Sequence, residues 1–424
     1  MIIILLVVFG IVGALLLKKK LQYSRPLPDI KRWSILDYIY TILKVFRPVI
    51  KAEKDKGIET FFANQDLDFF PPDGFQPTCK LSITAGGDIM HSYGYDKKSL
   101  SHIWDDVGDY LFSGDIVFAN LEIPVDLTRP PKVLPRGNKL SDFLGTEAPK
   151  LNGSDVSLDI FLEGDRHLDI VSTASNHSLN MGKDGLFNTL ELLDSKNILH
   201  VGTSKNPNEQ DNIPIIEKNS IKVAFLAYTF SLNQDSIPEG EDYLANFLLL
   251  NEPDTDISLI KRHIDISRKR GADVIVASLH WGYDLEAYPT QNIIDRGHEI
   301  LEAGVDIILG HHPHMLQPME KYRYIDPVTK KEKAGFIAYS LSELMSFEHC
   351  LPITWLSCIL RLEISKGKLR EEDVVRLTDV KMLPFYKLCR QNKDGTYEFR
   401  QIDLRKTLNN LLYYKKYYNL TTQE

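Results

Sequence analysis

From Leu81 to Glu343, short apolar and β-branched runs alternate with stretches of helical periodicity, and most of the runs end abruptly in polar or ionisable residues. The strand-like runs are LSITAGGD (81–88), DIVFANLE (115–122), LDIVSTASN (168–176), KVAFLAY (222–228), DVIVASLHWG (273–282), VDIILGHHPH (305–314) and FIAYSLSE (336–343). Helical spacing is read over 185–197, 256–270 and 292–304. A run too short for a helix and apolar throughout buries both faces only in a sheet covered on each side. The alternation therefore predicts a layered α/β domain over 81–345.

The strand ends carry the chemistry. Open α/β sheets place ligand sites at the carboxyl ends of their strands. Asp88 ends the first run, with His91 three residues later. Asn120 and Glu122 end the second, Asn176 and His177 the third, and His280 the fifth. The sixth ends in GHHPH, with His311, His312 and His314 inside five residues. On an extended segment His312 and His314, two apart, project to one side. Imidazole, carboxylate and carboxamide groups gathered on one edge suit a divalent ion such as zinc, iron or manganese. Gly86 and Gly87 before Asp88 would let the backbone approach a bound metal or anion closely.

Hydrophobic residues are 43% and charged residues 25% of the 424, a balance that excludes a disordered chain, a collagen-like chain and a polytopic membrane protein. The net charge of −8 supplies no global basic field, so nucleic acid is not an expected partner. Cys79, Cys350, Cys358 and Cys389 form no C-x-x-C pair. They read as incidental thiols or, at most, one Cys350–Cys358 bridge.

Residues 1–17 (MIIILLVVFGIVGALLL) contain no polar side chain. As a helix they reach about 26 Å, enough for a thin bilayer core. With Lys18, Lys19 and Lys20 after the run rather than before it, a single N-terminal membrane anchor is expected rather than a cleaved signal. Residues 18–54 hold ten Lys/Arg against three Asp/Glu, which by the positive-inside rule places that side in the cytoplasm. A lone anchor, in contrast, commonly tethers an exported domain, and the expected location of the soluble part is extracytoplasmic. The stretch WSILDYIYTILKVFRPVI (33–50) reads either as a helix lying on an acidic bilayer surface or as one packed on the main domain. Residues 18–80 form a basic juxtamembrane and linker segment closed by the Pro/Gly-rich 70–80. Residues 346–424 form a C-terminal extension with a β-appendage, its last 44 residues basic, Tyr-rich and expected to be helical.

The motifs, in order, are GGDIMHS (86–92), DIVFANLEIPV (115–125), ASNHSLNMGKDGLFNTLELLDSKNILHVG (174–202), SLHWGYDLEAYPTQ (278–291), AGVDIILGHHPHMLQPME (303–320) and IAYSLSE (337–343). Together they resemble the CapA/PgsA family, named for proteins of capsular poly-γ-glutamate synthesis and related to the calcineurin-like metallophosphatases. The resemblance implies a calcineurin-like metallophosphatase fold, a two-layer β-sandwich flanked by helices with two divalent ions at strand ends. Carried over residue by residue, it implies Asp88, Glu122, Asn176, His280, His312 and His314 as metal ligands, with Asn120, His311 and His91 as supporting or substrate-facing groups. His91 falls at the third position after Asp88, where the phosphatases carry a histidine at the second. The resemblance gives His177 the role of proton donor or transition-state stabiliser.

This chain departs from the family pattern at three places. Asn180 stands where an acidic residue is common. Ser342 and Glu343 stand where Gly and Asn are usual. Asp284 and Leu285 stand where Glu and an aromatic residue are usual. The functional expectation is a membrane-anchored protein of envelope-polymer synthesis or anchoring, acting by metal-dependent hydrolysis on a phosphoester or an anionic, polyglutamate-like polymer. The alternative is a non-catalytic accessory subunit of a membrane polymer synthetase complex.

Overall fold

The computed structural model describes residues 40, 43–44, 47–133, 150–326, 330–347 and 352–409. The apolar run 1–17 lies outside them, and no described helix is long and apolar enough to cross a membrane.

Two sheets lie face to face. The first contains β1 (Gln76–Ile89), β2 (Ile116–Leu121), β3 (Ile170–Ser172), β4 (Leu199–Val201), β11 (Glu343–Met345), β12 (Leu356–Leu369), β13 (Glu372–Gln391) and β14 (Tyr397–Asp403), in the order β14-β13-β12-β1-β2-β3-β4, with β11 also on β1. The second contains β5 (Ile215–Lys218), β6 (Ile221–Thr229), β7 (Val274–His280), β8 (Ile307–His311), β9 (Met319–Ile325) and β10 (Glu332–Ala338), in the order β5-β6-β7-β8-β10-β9.

The period-2 pattern of each strand decides what fills the space between. Leu81, Ile83 and Ala85 of β1 and Ile116 and Phe118 of β2 meet Val223, Phe225, Val276, Leu309 and Phe336 of the second sheet. Phe118 and Phe225 stack across the interface with centroids 5.9 Å apart and planes at 8°. The outer faces are covered by helices, as the alternation predicts. Leu186, Leu190 and Leu193 of α1 (Gly182–Ser195) cover the first sheet. Ile260 and Ile264 of α2 (Ser258–Lys269) and Ile293, Ile294, Ile300 and Leu301 of α3 (Gln291–Glu302) cover the second. Thr290 caps α3 by accepting from the Ile293 amide.

Two expectations are corrected. β3 is only three residues long, because Ser175 and Ser178 turn the chain: the Ser178 hydroxyl takes the Ser175 amide and donates to the Thr173 carbonyl. The stretch from residue 381 is not helical over its first part. It continues β13 and then β14, and among its described residues only Leu404–Asn409 is helix. Leu383, Phe385 and Lys387, each two apart, are all buried, so period 2 won over the local composition. The glycines before Asp88 also have a part in strand packing. A Cβ on Gly87 would sit 1.9 Å from the Ser342 carbonyl oxygen, and the Asp88 amide donates to that same oxygen at 3.0 Å.

Of the two readings for 33–50, the described residues support the packed one. Tyr40 and Lys44 are helical and buried, and both reach the Glu286 carboxylate at 3.3 Å. Val49 pairs with Glu286 through its backbone.

Candidate metal centre

Parallel pairing in register is what gathers the polar strand ends. Asp88 of β1 is paired with Asn120 of β2, and His280 of β7 with His311 of β8. Each strand is held by an apolar core up to its last residue, so the four groups end on one edge across the two sheets.

Asp88 is the hub, fully buried. Its Oδ1 accepts from Asn120 Nδ2 at 2.7 Å and lies 3.3 Å from His311 Nδ1. Its Oδ2 accepts from the His312 amide at 3.3 Å and lies 3.9 Å from His314 Nδ1. Glu122 Oε1 is 3.6 Å from His314 Nε2 and 3.7 Å from His280 Nε2. His280 Nε2 also meets Asn176 Oδ1 at 3.0 Å. Glu122, His312 and His314 each present one ligand atom, and the three atoms lie within 4.8 Å of one another.

The GHHPH segment does not work as the extended run that the sequence suggests. β8 ends at His311, and His312 (φ 96°) and His314 (φ 53°) both take left-handed backbone conformations. Such conformations at non-glycine residues persist only where the surroundings enforce them. Here the Pro313 carbonyl accepts from the Leu285 amide, the Gly310 carbonyl from Leu341, and the His314 carbonyl from Ser342 Oγ. The turn swings both rings inward, with centroids 6.1 Å apart.

The residues present fit a divalent cation. Both Glu122 carboxylate oxygens, Asn120 Oδ1, both ring nitrogens of His311 and His312 Nδ1 are buried without a hydrogen bond. Buried polar atoms left so are costly. The mixture of imidazole nitrogen and carboxylate oxygen is the donor set of zinc-, iron- or manganese-type ions. The electrostatics agree. Burial, then the neighbouring Asp88, Glu343 and Asp284 charges, push Glu122 well above the usual carboxylate range, against the pull of His314. Burial lowers His314, but Glu122, Glu343 and Asp284 outweigh it and raise the imidazole to about 10. The pocket is thus rich in negative charge and favours a positive charge within it, whether a proton or a cation. Burial takes His312 to about 4, and burial with the surrounding imidazoles takes His280 well below its ordinary value, which keeps both rings as lone-pair donors.

His177 stands beside this cluster, its strongest contact being Asn180. The Asn180 side chain is oriented by two neighbours: the Leu151 amide donates to Oδ1 at 2.8 Å, and Nδ2 donates to Asp235 Oδ2 at 3.1 Å. Oδ1 therefore accepts from His177 Nδ1 at 2.7 Å, which leaves the lone pair of the neutral ring on Nε2. Burial pulls His177 down to about 4, with the Asn180 hydrogen bond opposing it. His91 is directed elsewhere. Its Nδ1 lies 2.9 Å from Ser157 Oγ and its ring stands edge-on to Tyr95.

Sequence reasoning missed three contributors. Asp284 Oδ1 is 3.2 Å from His312 Nε2. Glu343 Oε1 is 3.0 Å from His314 Nδ1, and Lys387 Nζ donates to Glu343 Oε2. Asp284 and Glu343 were visible only as departures from the family pattern, and Lys387 gave no signal at all.

The family described as "Bacterial capsule synthesis protein PGA_cap" matches residues 82–347, more than half of the chain. The chain belongs to this capsule synthesis family. It is 28% identical over 277 residues to the capsule biosynthesis protein CapA of Bacillus anthracis, covering 63% of this chain and 60% of that protein. It is 26% identical over 249 residues to the PGA biosynthesis protein CapA of Bacillus subtilis (strain 168), covering 57% and 60%. The chain thus spans about 60% of the length of each of these curated relatives. Among solved structures, the calcineurin-like phosphoesterase YfkN of Bacillus subtilis superposes with a TM-score of 0.38 at 17% identity, covering 73% of this chain and 91% of that one. Every cluster residue from Asp88 to Glu343 lies inside the PGA_cap match, whereas Lys387 lies beyond it.

Proposed function

We propose that this PGA_cap protein acts in the synthesis or anchoring of an anionic, poly-γ-glutamate-like envelope polymer through a metal-dependent hydrolase-type site. The observation that carries the reading is the buried cluster of Glu122, His312 and His314, whose donor atoms converge within 4.8 Å while both Glu122 oxygens lack a hydrogen bond. Asp88, Asn176 and His280 complete the holding set. When bound, divalent ions would polarise a phosphoryl or amide group and lower the pKa of an attacking water.

The chain's own residues do the rest. Asp88 fixes the His312 backbone through its amide. The Asn180 carboxamide fixes the His177 ring, so that Nε2 offers a lone pair beside the reacting groups. The apolar run 1–17 would hold the body at a membrane, with the domain on the extracytoplasmic side and a polymer synthetase complex as its partner.

The test is elemental analysis of the purified chain, followed by a hydrolysis screen on phosphoesters and γ-glutamyl peptides with and without chelator. At least one cation per chain and chelator-sensitive turnover are expected. A chain that retains no cation overturns the reading. A metal-loaded chain that hydrolyses neither class would be the non-catalytic accessory subunit.

A further inference from the structure

Ser342 and Glu343, the pair that replaces Gly and Asn in the family pattern, both close on one histidine. Ser342 Oγ donates to the His314 carbonyl at 3.2 Å, and Glu343 Oε1 lies 3.0 Å from His314 Nδ1. The other Glu343 oxygen takes the Lys387 ammonium. Glu343 and Lys387 are each 0% exposed and 44 residues apart, on β11 and β13. Lys387 belongs to the alternating buried face of β13 with Leu383 and Phe385, so the strand aims it inward.

A buried lysine is tolerated only beside a counter-charge, and a buried carboxylate only with its oxygens engaged. Here each supplies the other's need. The remaining oxygen of Glu343 is left to face His314 Nδ1, 3.0 Å away, as its charge partner. With a carboxylate at Nδ1, the proton kept by the ring in a loaded site would be the Nδ1 one, and a cation would take the place of the Nε2 proton, beside Glu122 Oε1 at 3.6 Å and Asp284 Oδ1 at 3.9 Å.

We infer that Lys387, Glu343 and Ser342 form a support that orients His314 as a cation ligand, with Lys387 a positioning residue that lies outside the family-matched region. This rests on the metal reading of the site. The support explains how a carboxylate is accommodated where an asparagine is usual: the extra negative charge arrives with its own cation from the C-terminal strands.

The test titrates the full-length chain with Mn²⁺ and with Zn²⁺ after chelator treatment. Near-UV circular dichroism checks that each variant is folded. Two charge-free pairs isolate the polar contact at His314 Nδ1: Glu343→Gln with Lys387→Met, and Glu343→Leu with Lys387→Met. Only glutamine can accept from His314 Nδ1. The glutamine pair is expected to bind within about threefold of the parent, and the leucine pair at least about tenfold more weakly. Lys387→Met alone is expected to lose at least about tenfold and to regain it when Glu343→Gln is added. Equal affinities in the two pairs, or parental affinity in folded Lys387→Met, overturn the inference. A parent chain that binds neither ion instead overturns the metal reading itself, so the two failures are distinct.

Discussion

Lys44 Nζ and Glu286 Oε1 stand 3.3 Å apart, and the two side chains are 4% and 2% exposed. This ion pair fastens the segment before the domain to the loop that carries Asp284. Removing one partner of a buried pair leaves the other charge stranded. Lys44→Met is therefore expected to lower stability by about 2–4 kcal/mol in chemical denaturation and to speed proteolysis before Val49. An unchanged unfolding midpoint would show the contact to be dispensable.

Metal removal is the second prediction. A ligand bound only by the folded chain stabilises it by about 2.7 kcal/mol at a hundredfold excess over Kd. Chelator-treated chain is expected to melt below metal-loaded chain by the equivalent of about 2–4 kcal/mol, and Glu122→Gln is expected to abolish most of that difference. Superimposable melting curves with and without chelator would contradict the cation assignment.

Asn180 gives a third. Its amide nitrogen donates to Asp235 Oδ2, which also anchors Lys150 through Oδ1. Replacing the amide by a carboxylate, Asn180→Asp, faces one carboxylate with another. The expected cost is about 1–2 kcal/mol at neutral pH, recovered in large part by adding Asp235→Asn. A double-mutant cycle measures this, and additive losses would refute the pairing.

The pH dependence of stability is expected to carry a signature of His263 on α2. This residue is fully buried, with Nδ1 2.8 Å from the Tyr228 hydroxyl and Nε2 3.3 Å from Asp211 Oδ1. Burial lowers its pKa from 6.5 to about 4, against the pull of Asp211. Between these values the unfolded chain binds a proton that the folded chain refuses. The stability is therefore present above pH 6.5 and is lost as pH falls towards about 4, by at most about 1.4 kcal/mol per pH unit. His263→Gln should flatten this slope in denaturant titrations at stepped pH. An identical slope in both chains would assign the effect elsewhere.

Gly310 supplies the last. A Cβ there would lie 2.0 Å from the Tyr339 carbonyl oxygen, a backbone atom with no room to yield. Gly310→Ala is expected to cost about 3 kcal/mol or more and to sharply reduce soluble yield, because β8 must shift and carry the histidine turn with it. Near-normal expression and melting would show that the strands can part.

Much of this centre was legible in the chain because it depends on where strands stop. Asp88, Asn120, His280 and His311 each follow an apolar β-branched run, and parallel register then aligns the ends without further information. What could not be read depends on direction and on distant pairing. Strand position alone did not reveal that His91 turns to Ser157, or that His312 and His314 reach inward through left-handed backbone. Glu343 and Lys387 meet because β11 and β13 both belong to the first sheet, a relation that no local pattern encodes. The β13–β14 pairing likewise overrode a composition that reads as helix, since cross-strand burial decides such segments.

The docking of Tyr40 and Lys44 beside the Asp284 loop also fixes a length. Only the stretch from residue 17 to residue 40 separates the apolar run from that clasp, and a fully stretched chain of that size reaches at most about 80 Å. If the proposed membrane anchor holds the first seventeen residues, the cluster works on a short leash from that membrane.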